Sequence, residues 1–416
     1  MQIEQYTQNG LRTSFTLSSS HVTYANTLRR VILTGVETVA FRADMTSTGT
    51  TTDVEVKRND TPMTNEMLAD RIGLLPIHVP KPLTWRDEYL FELEVLGSDD
   101  KTTYVTSGNF QIKRRADIAS QTSADEEKSQ SAAAFFPSHP VTGDTCLIAT
   151  LQPGSGDRKQ GIHIIAKASI GTGREHARFS PVSQCTYEYT PDTNEQRRQT
   201  MFREWCASAK KVNAMDPQSE RVQELLREFN TMQVKRCFKI NQKGEPDSFD
   251  FTIETIGVLD VPYIVDRACA VGEVMCNQYA NINMGDLPDN VTIKTADSRM
   301  IGYDFLFEKQ DHTLGNLFQT WMEQNLMNEN ARSQITYVGY SVPHPLRDVM
   351  VLRVGVADRS EDTARQAVSA AARGCATIFK ELRAEWNRAS GSPAPRTVRA
   401  APRTAPRTAR DVSGNK

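Results

Sequence analysis

Three groups of residues in this 416-residue chain have the types and spacing to do chemistry. Asp311-His312-Thr313 sets an acid, an imidazole and a hydroxyl in succession, the groups a hydrolase uses. Gly171-x-Gly173-Arg174 has the start of a phosphate loop. Seven cysteines (Cys146, Cys185, Cys206, Cys237, Cys269, Cys276 and Cys375) are candidate nucleophiles or metal ligands. Each group fails a physical test. A triad needs convergent geometry, whereas neighbours on one element point in different directions. Asp311 or Thr313 is better suited to accept a bond from an orphan N–H at a helix start. The glycine pair lacks a third glycine, a following Lys-Ser/Thr and a helix start. The cysteines form no CxxC pair, so each reads as a reduced, buried, small apolar residue. His344 lies between Pro343 and Pro345, whose fixed φ makes a shaped loop rather than a metal ligand. The expectation is no catalytic residue, no cofactor and no metal.

Composition narrows the classes further. The mass is 46.5 kDa, with 38% hydrophobic and 24% charged residues. That suits roughly two to four packed domains. No apolar run approaches the ~20 residues of a membrane-spanning helix. The N-terminus lacks a basic-then-apolar leader, so an intracellular protein is expected. The net charge of −2 is uneven. Residues 390–416 hold six of the 49 Lys+Arg and one of the 51 Asp+Glu, leaving 43 basic and 50 acidic residues in the body. A mildly acidic body argues against a body-wide nucleic-acid surface. The tail, with Ala-Pro-Arg-Thr at 394–397, 401–404 and 405–408, reads as disordered from about 389. It is basic enough for weak nucleic-acid contact. Residues 116–144 read as a long surface loop.

Periodicity supplies the positioning elements. Arg12–Ser18 alternates as a strand, with Phe15 and Leu17 on one face. A helix is expected over 23–34, striped by Val22, Ala25, Leu28 and Ile32 with Arg29 and Arg30 beside it. By themselves those arginines read as solvated. A strand near 249–257 and a helix near 263–280 follow. The C-terminal part repeats the order: a strand at 303–308, then a helix striped by Leu314, Leu317, Phe318, Trp321 and Met322. A strand near 349–356 comes next, then a long helix running from Ala364 through Phe379 to Trp386. Gly315 near a helix start costs up to about 1 kcal/mol against Ala, which points to close approach of another group. Asp216-Pro217 reads as the N-cap and first residue of a helix carrying Val222, Leu225, Leu226 and Phe229. Neither copy offers enough strands and helices to bury its own stripes, so the two are expected to pack on each other. A flexible tether of about 15 residues spans roughly 20 Å and gives an effective concentration on the order of millimolar.

The stretch TYANTLRRVILTGVETVAFRAD, followed by NDTPMTNEMLADRIGLLPI, resembles the signature of the alpha-like subunits of multisubunit DNA-dependent RNA polymerases. It is most similar to the larger partner of that pair, the archaeal D-type chain or the third subunit of eukaryotic polymerase II. HIIAKASIGTGREHARFSPVSQCTYEYTPD and FDFTIETIGVLDVPYIVDRA agree with it. Phe307, Asp311-His312-Thr313-Leu314-Gly315-Asn316, Val338-Gly339-Tyr340 and Pro343-His344-Pro345-Leu346 resemble the smaller partner, the archaeal L-type chain or the eleventh subunit of polymerase II. A fusion of the two resembles an arrangement in nucleocytoplasmic large DNA viruses.

This resemblance implies an α+β fold of two dimerisation halves packed as an intramolecular pseudo-heterodimer. It divides the chain into a first half (1–48 and 236–285), an inserted mainly β domain (49–235), a linker (286–300), a second half (301–388) and the tail (389–416). It implies a non-catalytic assembly subunit that seats the two largest polymerase subunits and a small subunit near the platform, touching template DNA only indirectly. No homo-oligomer and no membrane are implied. The place of work would be the host nucleus or a cytoplasmic virus factory, with packaging in the virion a further option. The interface residues it implies are Asn26, Leu28, Arg29, Arg30, Asn59, Glu66, Arg71, Gly73, Arg174, Glu175, His176, Asp311, His312, Thr313, Leu314, Gly315, Asn316, Leu317, Gly339, Tyr340, Pro343, His344, Pro345 and Phe379. Two departures stand out. No clustered cysteines occur between Leu83 and Lys101, and Ala69-Asp70-Arg71 replaces an Ala-His-Arg run. Two other classes remain as alternatives: a thiol or histidine hydrolase in the inserted domain, and a free-standing nucleic-acid-binding transcription adaptor.

Overall fold

The computed structural model describes residues 1–44, 53–86, 88–114, 131–156, 159–213, 219–297, 300–327 and 334–391. The chain opens with β1 (Gln2–Asn9), β2 (Arg12–Ser18), α1 (Val22–Thr34) and β3 (Glu37–Phe41). Next come β4 (Val54–Asn59), α2 (Asn65–Gly73), β5 (Tyr89–Leu96), β6 (Thr103–Thr106), β7 (Gln111–Arg114) and β8 (Leu147–Leu151). Then follow β9 (Gly161–Ala166), β10 (Ala168–Thr172), β11 (Val182–Tyr189), α3 (Glu195–Trp205), α4 (Glu220–Glu228), β12 (Ser248–Thr255) and α5 (Val261–Asn277). The last elements are β13 (Val291–Thr295), β14 (Gly302–Glu308), α6 (His312–Leu326), β15 (Ile335–Ser341), β16 (Val349–Val356) and α7 (Glu361–Ser390).

Two four-stranded antiparallel sheets run β1-β2-β12-β11 and β13-β14-β16-β15. In the first, Phe15, Leu17, Phe249, Phe251 and Ile253 are buried on one face. In the second, Phe305, Phe307, Leu352 and Val354 do the same. Alternation with period two makes this one-sided burial possible. A third sheet, β4-β9-β5-β7, and the pairs β10-β3 and β6-β8 lie between α1 and β11 in sequence.

The helices bury their stripes in two cores that draw on both ends of the chain. One core joins Tyr24, Cys276, Tyr279 and Ile282 to Phe305, Phe307, Leu317, Phe318 and Phe379. The other joins Phe15, Leu28, Phe251, Ile264 and Cys269 to Leu382 and Trp386. At 30 residues, α7 is about 45 Å long and reaches both cores. A separate core beneath the third sheet holds Ile72, Phe91, Phe110, Phe135, Phe136 and Ile164. A small one closes the α3–α4 hairpin around Phe202, Val222, Leu225 and Phe229.

The structure departs from the sequence reading at several points. β11 falls within 49–235, yet it hydrogen-bonds β12 and completes the first sheet. The stretch 286–300 contains β13, because Val291-Thr-Ile-Lys-Thr is β-branched at alternate positions and Val291 is buried against the second core. Of the loop expected over 116–144, residues 116–130 lie outside the described residues. Ala132, Phe135 and Phe136 pack into the third core instead of lying on the surface. The Asp216-Pro217 start also lies outside them. α4 has Ser219 at its N-cap, and Leu226 stays exposed beside its buried stripe. α7 continues to Ser390 and ends on Gly391 in the left-handed region, and 392–416 lie beyond the described residues.

Candidate interaction surface and helix seam

The seam between the two ends begins with two glycines. A methyl group at Gly272 on α5 would sit 2.8 Å from the Phe379 ring on α7. One at Gly374 on α7 would sit 2.2 Å from the Trp321 indole on α6. Only glycine lets these rings lie on the neighbouring helix at this distance, so the two positions set the interhelical approach. Cys276 and Cys375 also meet across α5 and α7, thiol to thiol.

Polar bonds then fix the register. Arg383 donates two 2.7 Å bonds to Asp266, and Asn387 adds a third at 2.9 Å. Trp386 Nε1 donates to the Pro262 carbonyl at 3.0 Å. Between α1 and α6, the Thr23 and Thr320 hydroxyls lie 3.0 Å apart and Asn316 donates to Thr23 at 3.3 Å. Tyr24 donates its hydroxyl to Gln324 at 3.1 Å. Arg30 reaches Thr313 at 2.7 Å and Asp311 at 3.4 Å. Burial would raise the Asp311 carboxyl, but its bonds to the Thr313 hydroxyl and backbone, with Arg30 and Arg174 nearby, hold it below the usual range.

Asp311 itself caps α6, accepting from the Thr313 N–H at 2.8 Å. His312 points outward and presents its ring to Tyr340 edge-on, with centroids 5.7 Å apart. The three residues do not converge as a catalytic set. Gly315 is needed because a methyl group there would lie 2.4 Å from the Tyr340 ring. The close approach that its cost implied is therefore to β15, within the same end of the chain. Gly339 is likewise crowded by the Tyr337 hydroxyl at 2.4 Å.

Around this helix start the structure gathers a second set. Arg174 pairs with Asp348 at 3.3 Å, and its backbone N–H donates to the Thr34 carbonyl at the end of α1. Gly173 is required there, since a methyl group would meet the Leu33 carbonyl at 2.2 Å. Glu175 takes two bonds from Arg42, at 2.5 and 2.8 Å. Pro343, His344, Pro345 and Leu346 stand out from the surface, with Leu346 89% exposed. His344 Nδ1 accepts from the Leu346 N–H at 3.1 Å.

Sequence reasoning missed Arg178, two residues past His176. Its side chain is only 2% exposed, yet it donates to the Phe41 carbonyl at 2.9 Å, to Asp44 at 3.1 Å and to His176 Nδ1 at 3.0 Å. Asp70 lies 3.7 Å away, so the residue replacing the expected histidine meets this guanidinium. Gly73 makes room for it, as a methyl group there would lie 2.7 Å from Arg178 Nη1. The signal was present in the sequence as an arginine in a run of charged residues, but its burial was not.

The remaining expected residues are placed as follows. Asn59 folds the turn before α2, donating to the Met63 carbonyl and accepting from Thr61. Glu66 lies in the first turn of α2, where a backbone bond and the Thr64 hydroxyl lower its carboxyl. Arg71 donates to the Leu147 carbonyl at 3.1 Å. Asn26 and Arg29 bond each other at 3.0 Å and line an open groove of about 470 Å³ against Thr186–Tyr189 of β11. Leu28, Gly73, Leu314, Leu317 and Phe379 are buried inside the chain.

Six of the seven cysteines are buried as expected, whereas Cys146 is exposed. Burial pushes Cys185 up to about 12 and also raises Cys206, Cys237, Cys269 and Cys375, so the thiolate is disfavoured.

Comparison with known proteins agrees with the geometry. A family model described as the RNA polymerase Rpb3/Rpb11 dimerisation domain matches residues 14–273, and a second of the same description matches 303–385. The chain is 27% identical over 282 residues to DNA-directed RNA polymerases IV and V subunit 3B of Arabidopsis thaliana, covering 61% of this chain and 82% of that one. It is 25% identical over 294 residues to DNA-directed RNA polymerases I and III subunit RPAC1 of Homo sapiens, covering 61% and 76%. It is 26% identical over 286 residues to DNA-directed RNA polymerase subunit Rpo3 of Methanobrevibacter smithii, covering 65% and 93%.

Proposed function

The chain belongs to the RNA polymerase Rpb3/Rpb11 dimerisation-domain family, and on that premise we propose that it is a non-catalytic assembly subunit of a DNA-directed RNA polymerase, carrying both halves of the alpha-like pair in one polypeptide. One observation carries this reading: α7, from the rear segment, supplies Leu382 and Trp386 to the front core, while Tyr24, Cys276, Tyr279 and Ile282 of the front segment pack into the rear core, so that each core draws on the opposite end of the chain. The rear segment thus fills the place of a separate small partner, and no homo-oligomer is required. Obligate interfaces of this kind bury about 2,000–5,000 Å² in total.

The mechanism is physical. Pairing α1 and α5 with α6 and α7 creates a rigid platform. Its exposed features then seat the two largest polymerase subunits: the Asn26/Arg29 groove, the Arg174–Asp348 corner and the Pro343–Leu346 tip. A small subunit near the platform completes the assembly, and template DNA is met only through the large subunits. The chain would work inside the infected cell, in nucleus or virus factory, if its fused form reflects the viral arrangement it resembles.

The test is a pull-down of tagged full-length chain from its native source, with the co-purifying chains identified by mass spectrometry. The two large polymerase subunits are expected. Hydrolase activity retained by the chain alone would overturn the reading. So would strongly salt-dependent DNA binding that survives removal of 389–416.

A further inference from the structure

The third sheet carries a group of side chains that the platform does not use. On its solvent face, Glu92 and Glu94 project from β5 two residues apart, and His163 on β9 stands directly opposite Glu94 in the ladder. β5 and β9 are the two central strands of this sheet, so the three side chains stand on its most constrained backbone. His163 Nε2 lies 3.0 Å from Glu92 Oε1, and one ligand atom from each of the three residues falls within 4.8 Å of the others. Tetrahedral ligands on bonds of about 2 Å lie roughly 3.3 Å apart, so the Glu92–His163 spacing already suits a shared cation. Glu94 is exposed on the same strand face.

We propose that Glu92, Glu94 and His163 form a three-ligand site for a divalent transition cation of the zinc class, with solvent in the fourth position. Imidazole nitrogen with carboxylate oxygen is a donor set that favours such a cation over magnesium. Binding displaces the Glu92–His163 hydrogen bond: the neutral imidazole changes tautomer, its proton passing through solvent from Nε2 to Nδ1, so that Nε2 is free to ligate. Lys113 donates to the other Glu92 oxygen at 2.7 Å and orients the carboxylate as an outer partner. Arg58 faces His163 from β4, but its guanidinium is engaged by Asp60 at 2.7 Å and the Lys159 carbonyl at 2.9 Å. The cation would clip β5 to β9 and raise the stability of this sheet by mass action.

The experiment is calorimetric titration of the full chain with zinc and separately with magnesium, with cobalt absorption as the geometric readout. Expected are one zinc per chain, an affinity falling about tenfold or more in both His163→Ala and Glu94→Gln, and cobalt bands without thiolate charge transfer. Cys146→Ser, at the exposed thiol, should bind as the parent does. Circular dichroism should show that these solvent-face variants stay folded. Zinc binding that is absent, equalled by magnesium, untouched by His163→Ala, or lost in Cys146→Ser would overturn the assignment.

Discussion

The two four-stranded sheets are the same object built twice. Each runs strand, strand, helix, then two strands and a helix, and the spatial order β1-β2-β12-β11 is matched position for position by β13-β14-β16-β15. What separates them is what hangs between equivalent points. Between α1 and β11 the first carries β3 to β10 and a complete core of its own, while between α6 and β15 the second has a short connection. The closing helices differ too, with 17 residues in α5 against 30 in α7. The shorter helix serves mostly its own sheet. The longer one spans both. The asymmetry teaches that the compact copy supplies the clasp, its last helix reaching both cores, while the elaborated copy adds a core of its own.

The largest effect should come from breaking the clasp where it is tightest. Phe379→Asp puts a carboxylate against Gly272 in a fully buried seam, and such a charge is expected to cost more than about 4 kcal/mol. Urea denaturation should show both sheets losing stability together. A curve with one transition unchanged would mean that one copy stands alone, and the comparison would fail. Leu317→Asp is expected to cost as much, because Leu317 is buried in the same core.

Trp386→Ala sharpens the contrast. Trp386 packs edge-on against Phe15 and Tyr6 and is fully buried in the first core. Its loss should cost about 3–5 kcal/mol. Hydrogen exchange should rise in β1, β2 and the last turns of α7, and much less in β14 and β16. Equal loss of protection in both sheets would contradict the division of α7 between two cores.

How much of this was legible follows from what each contact asks of the sequence. The stripes of α6 and α7 were readable because Leu314, Leu317, Phe318 and Phe379 recur at helical spacing. The second face of α1 was not. Thr23 and Thr27 are buried there, Thr23 facing Thr320 of α6 and Thr27 donating to the Thr23 carbonyl of its own helix, and buried threonines leave no hydrophobic period. Gly272 and Gly374 look like defects in a helix until the ring each admits is known. β11 was missed because Val182–Tyr189 shows one apolar face only in part. Arg178 was invisible because burial of a charge depends on acceptors from β3 and α2, far away in sequence. The resemblance named positions, while the packing decided which are inside and which face outward.

A change of pH probes the polar side of the seam, with a smaller effect. Burial would raise Asp266, but the bonds from Arg383 and Asn387 leave its carboxyl below the ordinary range. Glu37 is held low in the same way, against its burial, by two bonds from Arg267. Carboxyls depressed in the folded state contribute stability above the ordinary carboxylate range. They lose it as pH falls through that range to their own lower values. Acid should therefore weaken the parent chain more than Asp266→Asn, measured as melting temperature against pH. Parallel curves would show that this contact contributes nothing to the clasp.

The smallest effect on stability should be the most informative about function. Arg30 sits between the two regions, bonding Thr313 and Asp311, but both ion-pair partners are more than a third exposed. A pair this wet is worth at most about 1 kcal/mol. Arg30→Met keeps the side chain's apolar stem and removes its charge, so the melting temperature should barely move. Two roles then separate. If the arginine only staples α1 to α6, recovery of large polymerase subunits in a pull-down should match the parent. If it also helps form the docking face with Arg174, His312 and the 343–346 tip, recovery should fall while stability holds. We expect the fall, because a guanidinium left half open at the start of α6 retains donors for a carbonyl or carboxylate on a partner.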